Sequence, residues 1–157
     1  MKKSLIIIFI TVLGFLNSFD AKSQTKEQTT NWLKGKSGLL VYASDYSIEL
    51  DYNGAVKMSY PQLLNGEFIK VDFSKVISAS YVKRQAADGY PDVYMILLGG
   101  TFAKFKYSFS EEYETVSNIS LSYTKIDEND AKRIVKAYEH LATLCGGKVV
   151  SDDLFKN

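Results

Sequence analysis

Three rhythms of apolar residues follow one another along the chain. An apolar run occupies 5–16, a period-two alternation extends over 46–123, and a three-and-four stripe closes the series over 131–145. The first run falls short of the roughly 20 residues that a membrane-crossing helix requires. It also contains Thr11 and Gly14, and Asn17, Ser18 and Asp20 follow at once. Lys2 and Lys3 precede it, and Ala21-Lys22-Ser23 presents a small-x-small pattern ahead of Gln24. A basic start, an apolar middle and a small-residue cut site are the parts of a secretory signal peptide. The expectation is that 1–23 is removed, leaving 24–157 as a single domain with no membrane span. No cysteine follows the apolar run, so attachment to lipid is not expected.

The alternation predicts strands. Tyr46, Ile48, Leu50 and Tyr52 share one face, Asn53-Gly54 follows as a hairpin turn, and Val56, Met58 and Tyr60 continue on the return strand. Pro61 weakens any extension there, because it has no N–H for a ladder. Asn65-Gly66 marks a second turn, after which Ile69, Val71 and Phe73 alternate, then Ile77, Ala79 and Tyr81. The stretch 87–91 breaks the chain. Residues 93–98 are apolar throughout, which predicts a central strand covered on both faces. Gly99-Gly100 reads as a tight turn into Ala103, Phe105, Tyr107 and Phe109. Ile119, Leu121 and Tyr123 complete an antiparallel meander.

Helices are predicted at the two ends of the mature part. Thr25 and Gln28 have the spacing of a capping box, opening a short helix to about Lys36 with Thr29, Trp32 and Leu33 on one face. A helix of that length persists only if Trp32 and Leu33 dock on the main body. Asp127 caps a second helix, with Glu128 and Asp130 near the positive end of its dipole. Ala131, Ile134, Val135, Tyr138, Leu141, Ala142 and Cys145 form its apolar stripe, and Gly146-Gly147 ends it.

Helix, about seven strands and helix make a mainly β (α+β) fold. The expected form is an antiparallel sheet curled into a barrel or a pair of packed sheets, with the last helix as a cap. This order of elements resembles the pleckstrin-homology-like superfold. A further resemblance rests on Thr25-Lys26-Glu27-Gln28-Thr29-Thr30-Asn31-Trp32-Leu33 and on the closing helix with Lys136-Ala137, His140-Leu141 and Cys145. These two ends resemble a loose group of uncharacterised exported bacterial proteins. That group begins with a Thr-Trp-Leu helix and ends with a Lys-Ala-x-x-His-Leu-x-x-x-Cys helix. The resemblance implies no activity and no binding residue.

Charge narrows the field. The chain has 19 Lys plus Arg and 18 Asp plus Glu; losing Lys2, Lys3, Lys22 and Asp20 leaves 16 basic and 17 acidic residues in 24–157. A near-neutral domain offers nucleic acid no electrostatic attraction. One cysteine, Cys145, forms no internal disulfide, so an apolar core alone must hold an exported chain of this size. Periplasmic or secreted bacterial location fits that design.

Candidate chemistry is sparse. Gly35-Lys36-Ser37 lacks the earlier glycine of a phosphate-binding loop, since Thr30 stands in its place. His140, the single histidine, lies about 200° round its helix from Tyr138 at roughly 100° per residue, which predicts a solvated surface position. Cys145 sits on the apolar stripe at the negative end of the helix dipole, where a thiolate is disfavoured. Glu111, Glu112 and Glu114 lack calcium-loop spacing and glycine. Glu49 and Asp51 read as an outward polar face, and Lys83, Arg84, Lys104 and Lys106 as ordinary outward cations. The Asn118-Ile119-Ser120 sequon lies in a strand pattern. No catalytic, cofactor-binding or metal-ligating residue is assigned.

The leading expectation is an exported non-enzymatic module that binds an envelope protein, peptide or small molecule through its sheet edge or loops. The alternatives are a small-molecule or lipid carrier, with Tyr46, Ile48, Phe105 and Tyr107 lining a cavity, and a hydrolase built on His140. The latter needs that side chain turned inward beside a nucleophile.

Overall fold

A computed structural model describes residues 24–41, 46–51, 55–59, 61–62, 66–85, 91–107, 112 and 114–150. The signal segment, the Asn53-Gly54 turn and most of the 87–91 break lie outside the described residues. Helix α1 (Lys26–Gly35) leads into a short 3-10 turn (Ser37–Leu39) and is followed by strands β1 (Ser47–Leu50), β2 (Val56–Ser59), β3 (Pro61–Gln62) and β4 (Gly66–Val71). A second 3-10 turn (Phe73–Lys75), β5 (Ser78–Arg84), β6 (Val93–Tyr107), β7 (Glu114–Thr124) and helix α2 (Glu128–Leu144) complete the order.

The fold is α+β with two antiparallel sheets. β1 and β2 pair alone, with Ile48 opposite Met58. The larger sheet runs β3-β4-β6-β5, with β7 on the other side of β6. No closed barrel forms among the described residues, so the curled-barrel option gives way to two open sheets with helices packed against them. After α1 the chain touches the outer edge of β7, where Val41 N–H donates to the Ser122 carbonyl at 2.9 Å.

β6 departs most from expectation. Gly99-Gly100 is not a turn: one strand continues through it, pairing with β5 over 93–99 and with β4 over 103–107. The register with β7 shifts between Gly99 and Ala103, which marks a bulge. Gly100 has φ +133°, and a Cβ there would collide with the Lys75 carbonyl. Glycine is therefore required for the close approach of two backbones, not for a reversal. Phe73 also differs. The ladder of β4 ends at Val71, and Phe73 enters the core from the 3-10 turn, stacked on Tyr138 with ring centres 6.2 Å apart. Ile77 precedes β5 and is 56 % exposed instead of facing inward with Ala79.

The core joins both sheets to both helices. Tyr94, Ile96 and Leu98 are buried, whereas Met95 and Leu97 on the other face are half-buried. The central position of β6 is as expected, but full cover is confined to one face. Ile134, Tyr138, Leu141 and Ala142 of α2 are wholly buried against that face, as are Leu33 of α1 and Ile48 of β1. Each large aliphatic side chain removed from water in this way contributes roughly 1.5–3 kcal/mol. Helix α2 packs on β5, β6 and the Phe73 turn, and α1 packs on β1 and α2. Asp127 caps α2 through its side chain, which accepts from Asp130 N–H at 2.7 Å. No helix among the described residues is long and apolar enough to cross a membrane.

Candidate functional site

The packing of α1 beside α2 creates a groove. The predicted capping box is present: Gln28 N–H donates to Thr25 Oγ1 at 3.2 Å, and Thr25 N–H donates to Gln28 Oε1 at 2.9 Å. These two bonds fix the angle at which the chain enters α1. Gln24 is thereby laid against α2, where His140 Nε2 lies 3.0 Å from the Gln24 carbonyl. A carbonyl only accepts, so the proton is on Nε2. Thr29 and Thr30 face inward because their hydroxyls donate back to the Thr25 and Lys26 carbonyls at 3.0 and 2.8 Å. That satisfies the hydroxyls within the helix itself.

The groove has a volume of about 320 Å³ and is open on one side. α1 and its lead-in contribute Gln24, Thr29 and Trp32; α2 contributes Arg133, Lys136, Ala137 and His140. The α2 residues recur at i, i+3, i+4 and i+7, one continuous helical face. Ala137 is small, which leaves room between the helices. Three of the lining side chains are basic or basic-capable, and none is acidic. Arg133 lies 5.7 Å from the centre of the half-buried Trp32 ring, and Lys36 Nζ lies 5.4 Å from it. Lys36 is also 3.5 Å from Asp130, so its charge is already countered. Among the described residues neither Arg133 nor Lys136 makes an ion pair. The arrangement presents two cations, an imidazole and an indole to one volume.

A second polar cluster is sealed inside the core. The Tyr138 hydroxyl lies 3.1 Å from that of Tyr46 and 3.3 Å from that of Tyr123. Tyr123 and Tyr138 are fully buried, and Tyr46 nearly so. Burial pushes the Tyr46 and Tyr138 hydroxyls far above the ordinary tyrosine value, because a phenolate there would lose its water. These phenols are neutral structural ties between β7, α2 and the lead-in to β1. The alternation places Tyr46 and Tyr123 on inward faces, and the helical stripe does the same for Tyr138. Their convergence was not readable, since the partners are separated by 92 and 15 positions.

The remaining candidates are dispersed. His140 is half-buried beside α1 and not on an open surface, because the reading of α2 in isolation did not include the helix that packs on it. Thr29, which supplies the hydroxyl of the groove lining, donates to a backbone carbonyl. Cys145 is half-buried at the end of α2, and desolvation pushes its thiol up. Glu49 pairs with Lys34 at 3.5 Å and Asp51 with Lys57 at 3.6 Å, so the two carboxylates serve different partners. Lys83 is tied to Asp92 at 2.6 Å and lies 5.9 Å from the Tyr94 ring centre. Glu112 and Glu114 are exposed, and Glu111 lies outside the described residues. Asn118 is exposed on β7 opposite Gly99. Among the described residues no three His, Cys, Asp or Glu side chains converge as metal ligands would. Tyr46 and Ile48, expected to line a carrier cavity, belong to the packed core. The side chains of Lys104, Phe105, Lys106 and Tyr107 lie outside the description.

No family model matches this chain, and neither a curated protein nor a solved structure does.

Proposed function

We propose that the protein is an exported, non-enzymatic binding module whose recognition surface is the groove between α1 and α2. One observation carries this reading. Trp32, Arg133, Lys136 and His140, drawn from two helices more than a hundred positions apart, line a single volume that contains no acidic side chain. Ligand sites are concave, largely apolar and furnished with a few convergent polar groups, and this is the groove's composition. The groove takes precedence over the sheet edge or loops as the recognition surface, because convergent polar and aromatic groups meet there.

Export is supported by the basic, apolar and small-residue parts of 1–23. The cut before Gln24 would leave the new terminus at the lip of the groove. An antiparallel body with a C-terminal helix packed on it supports a pleckstrin-homology-like organisation.

The test is an amide-resolved NMR titration of the exported protein against a library of small organic molecules. Hits are expected to shift the signals of Trp32, Arg133, Ala137 and His140 together. Hits that move only the outer strands would overturn the choice of surface, and turnover of a compound on binding would overturn the non-enzymatic reading.

A further inference from the structure

The geometry points to a specific ligand class for this groove: a small organic carboxylate carrying a flat apolar ring. The inference rests on the groove being the recognition surface and adds the chemistry of its occupant.

The first argument is electrostatic. Arg133 and Lys136 face the groove without an ion pair among the described residues, and His140 is the third titratable group there. Several acidic groups on the packed elements are engaged elsewhere: Asp130 with Lys36, Glu128 with Lys132 at 2.7 Å, and Glu49 with Lys34; Glu27, exposed on the first turn of α1, is not part of the lining. Glu139, next to His140, has an interaction of its own. An incoming anion therefore meets two cations that no described residue pairs with, and no lining carboxylate. A planar guanidinium matches a carboxylate with two parallel hydrogen bonds, which a lone ammonium does not provide.

The second argument separates an organic acid from a bare anion. Most of the wall is apolar: the Trp32 indole, the Ala137 methyl and the alkyl stems of Arg133 and Lys136. A free phosphate ion gains nothing from such surfaces and would have to shed water against them. A ring does gain, by stacking on the indole and by covering the stems. Size sets the last limit. About 320 Å³ is at the small end of ligand sites, which run from roughly 300 to 1,000 Å³. From Arg133 to His140 the helix advances about 10 Å at 1.5 Å per residue, the length of a fused two-ring acid.

Trp32 is the chain's single tryptophan, so its fluorescence reads the groove directly. The probes are 2-naphthoate, its neutral amide 2-naphthamide, and inorganic phosphate, each titrated into the exported protein. Naphthoate is expected to quench or shift Trp32 saturably, with the amide weaker by about tenfold, the worth of one charge-assisted hydrogen bond. Phosphate is expected to have no effect at matched ionic strength. Arg133→Gln should bring naphthoate down to the level of the amide, and Arg133→Lys should recover part of the difference. Both substitutions lie on an exposed helix position, and an unchanged thermal midpoint confirms folding. Equal binding of amide and acid would overturn the carboxylate class while leaving the groove as a binding site. Tight phosphate binding would overturn the need for a ring. Silence from Trp32 with all three probes would overturn this inference, while the groove as recognition surface is judged separately by the NMR titration.

Discussion

Tyr138 receives two phenol neighbours on one oxygen, and its ring stacks on Phe73 at an interplanar angle of 1°. Tyr138→Phe keeps the stack and removes both hydrogen bonds in a volume closed to water. The expected loss is about 1–3 kcal/mol, read as a lower urea midpoint with an unchanged slope. Tyr46→Phe removes the bond to Tyr138 and leaves that between Tyr123 and Tyr138 in place, so a smaller loss is expected. An unchanged midpoint in Tyr138→Phe would show that the trio adds nothing net. At this scale much was legible: Leu33, Ile48, Met58, Ile134 and Leu141 all fall on the faces their spacing assigns. Hydroxyl-to-hydroxyl contacts were not, because periodicity reports which face is inward and not what meets there.

At the scale of elements, β6 and α2 mark the two extremes of legibility. α2 announces itself by a cap, an apolar stripe and a double-glycine stop, and its observed bounds agree with that reading. β6 was divided in two because paired glycines signal a turn locally. What keeps it one strand is the backbone of the Phe73 turn lying against Gly100, a tertiary contact that no local rule contains. Gly100→Ala must both adopt a positive φ and displace the Lys75 carbonyl, so it is expected to destabilise by about 2 kcal/mol or more. Gly35→Ala, at the last turn of α1 with open space around it, should be neutral or stabilise by up to about 1 kcal/mol. Thermal melts of the two variants check the pair. Equal effects would mean that the bulge does not need glycine. The groove was illegible for the same kind of reason. Both of its helices were read correctly, but their mutual docking is not written in either one.

For the whole molecule, the shifted groups define the pH range over which it is held. Asp72 is lowered chiefly by the hydroxyl of Ser74, and Glu128 by Lys132 and then Tyr81. Lowered carboxyls stabilise fully above the ordinary carboxylate range, and that contribution fades as pH falls through their shifted values. The buried tyrosines have the opposite sign. Their contribution is complete below the ordinary value near 10 and is lost as pH rises beyond it, since only the unfolded chain ionises freely. The urea midpoint is therefore expected to be flat from about pH 5 to 9, with a shallow acid limb and a steeper alkaline one. The acid limb belongs to exposed, salt-screened pairs and should flatten further at high ionic strength. A steeper acid limb would assign the pH response to groups other than Tyr46 and Tyr138. Cys145 carries a consequence of a different kind. With one thiol in the chain, half-buried and slow to ionise, folding contains no oxidative step and no wrong pairing to correct. Such a chain needs no thiol oxidase or isomerase to reach its fold.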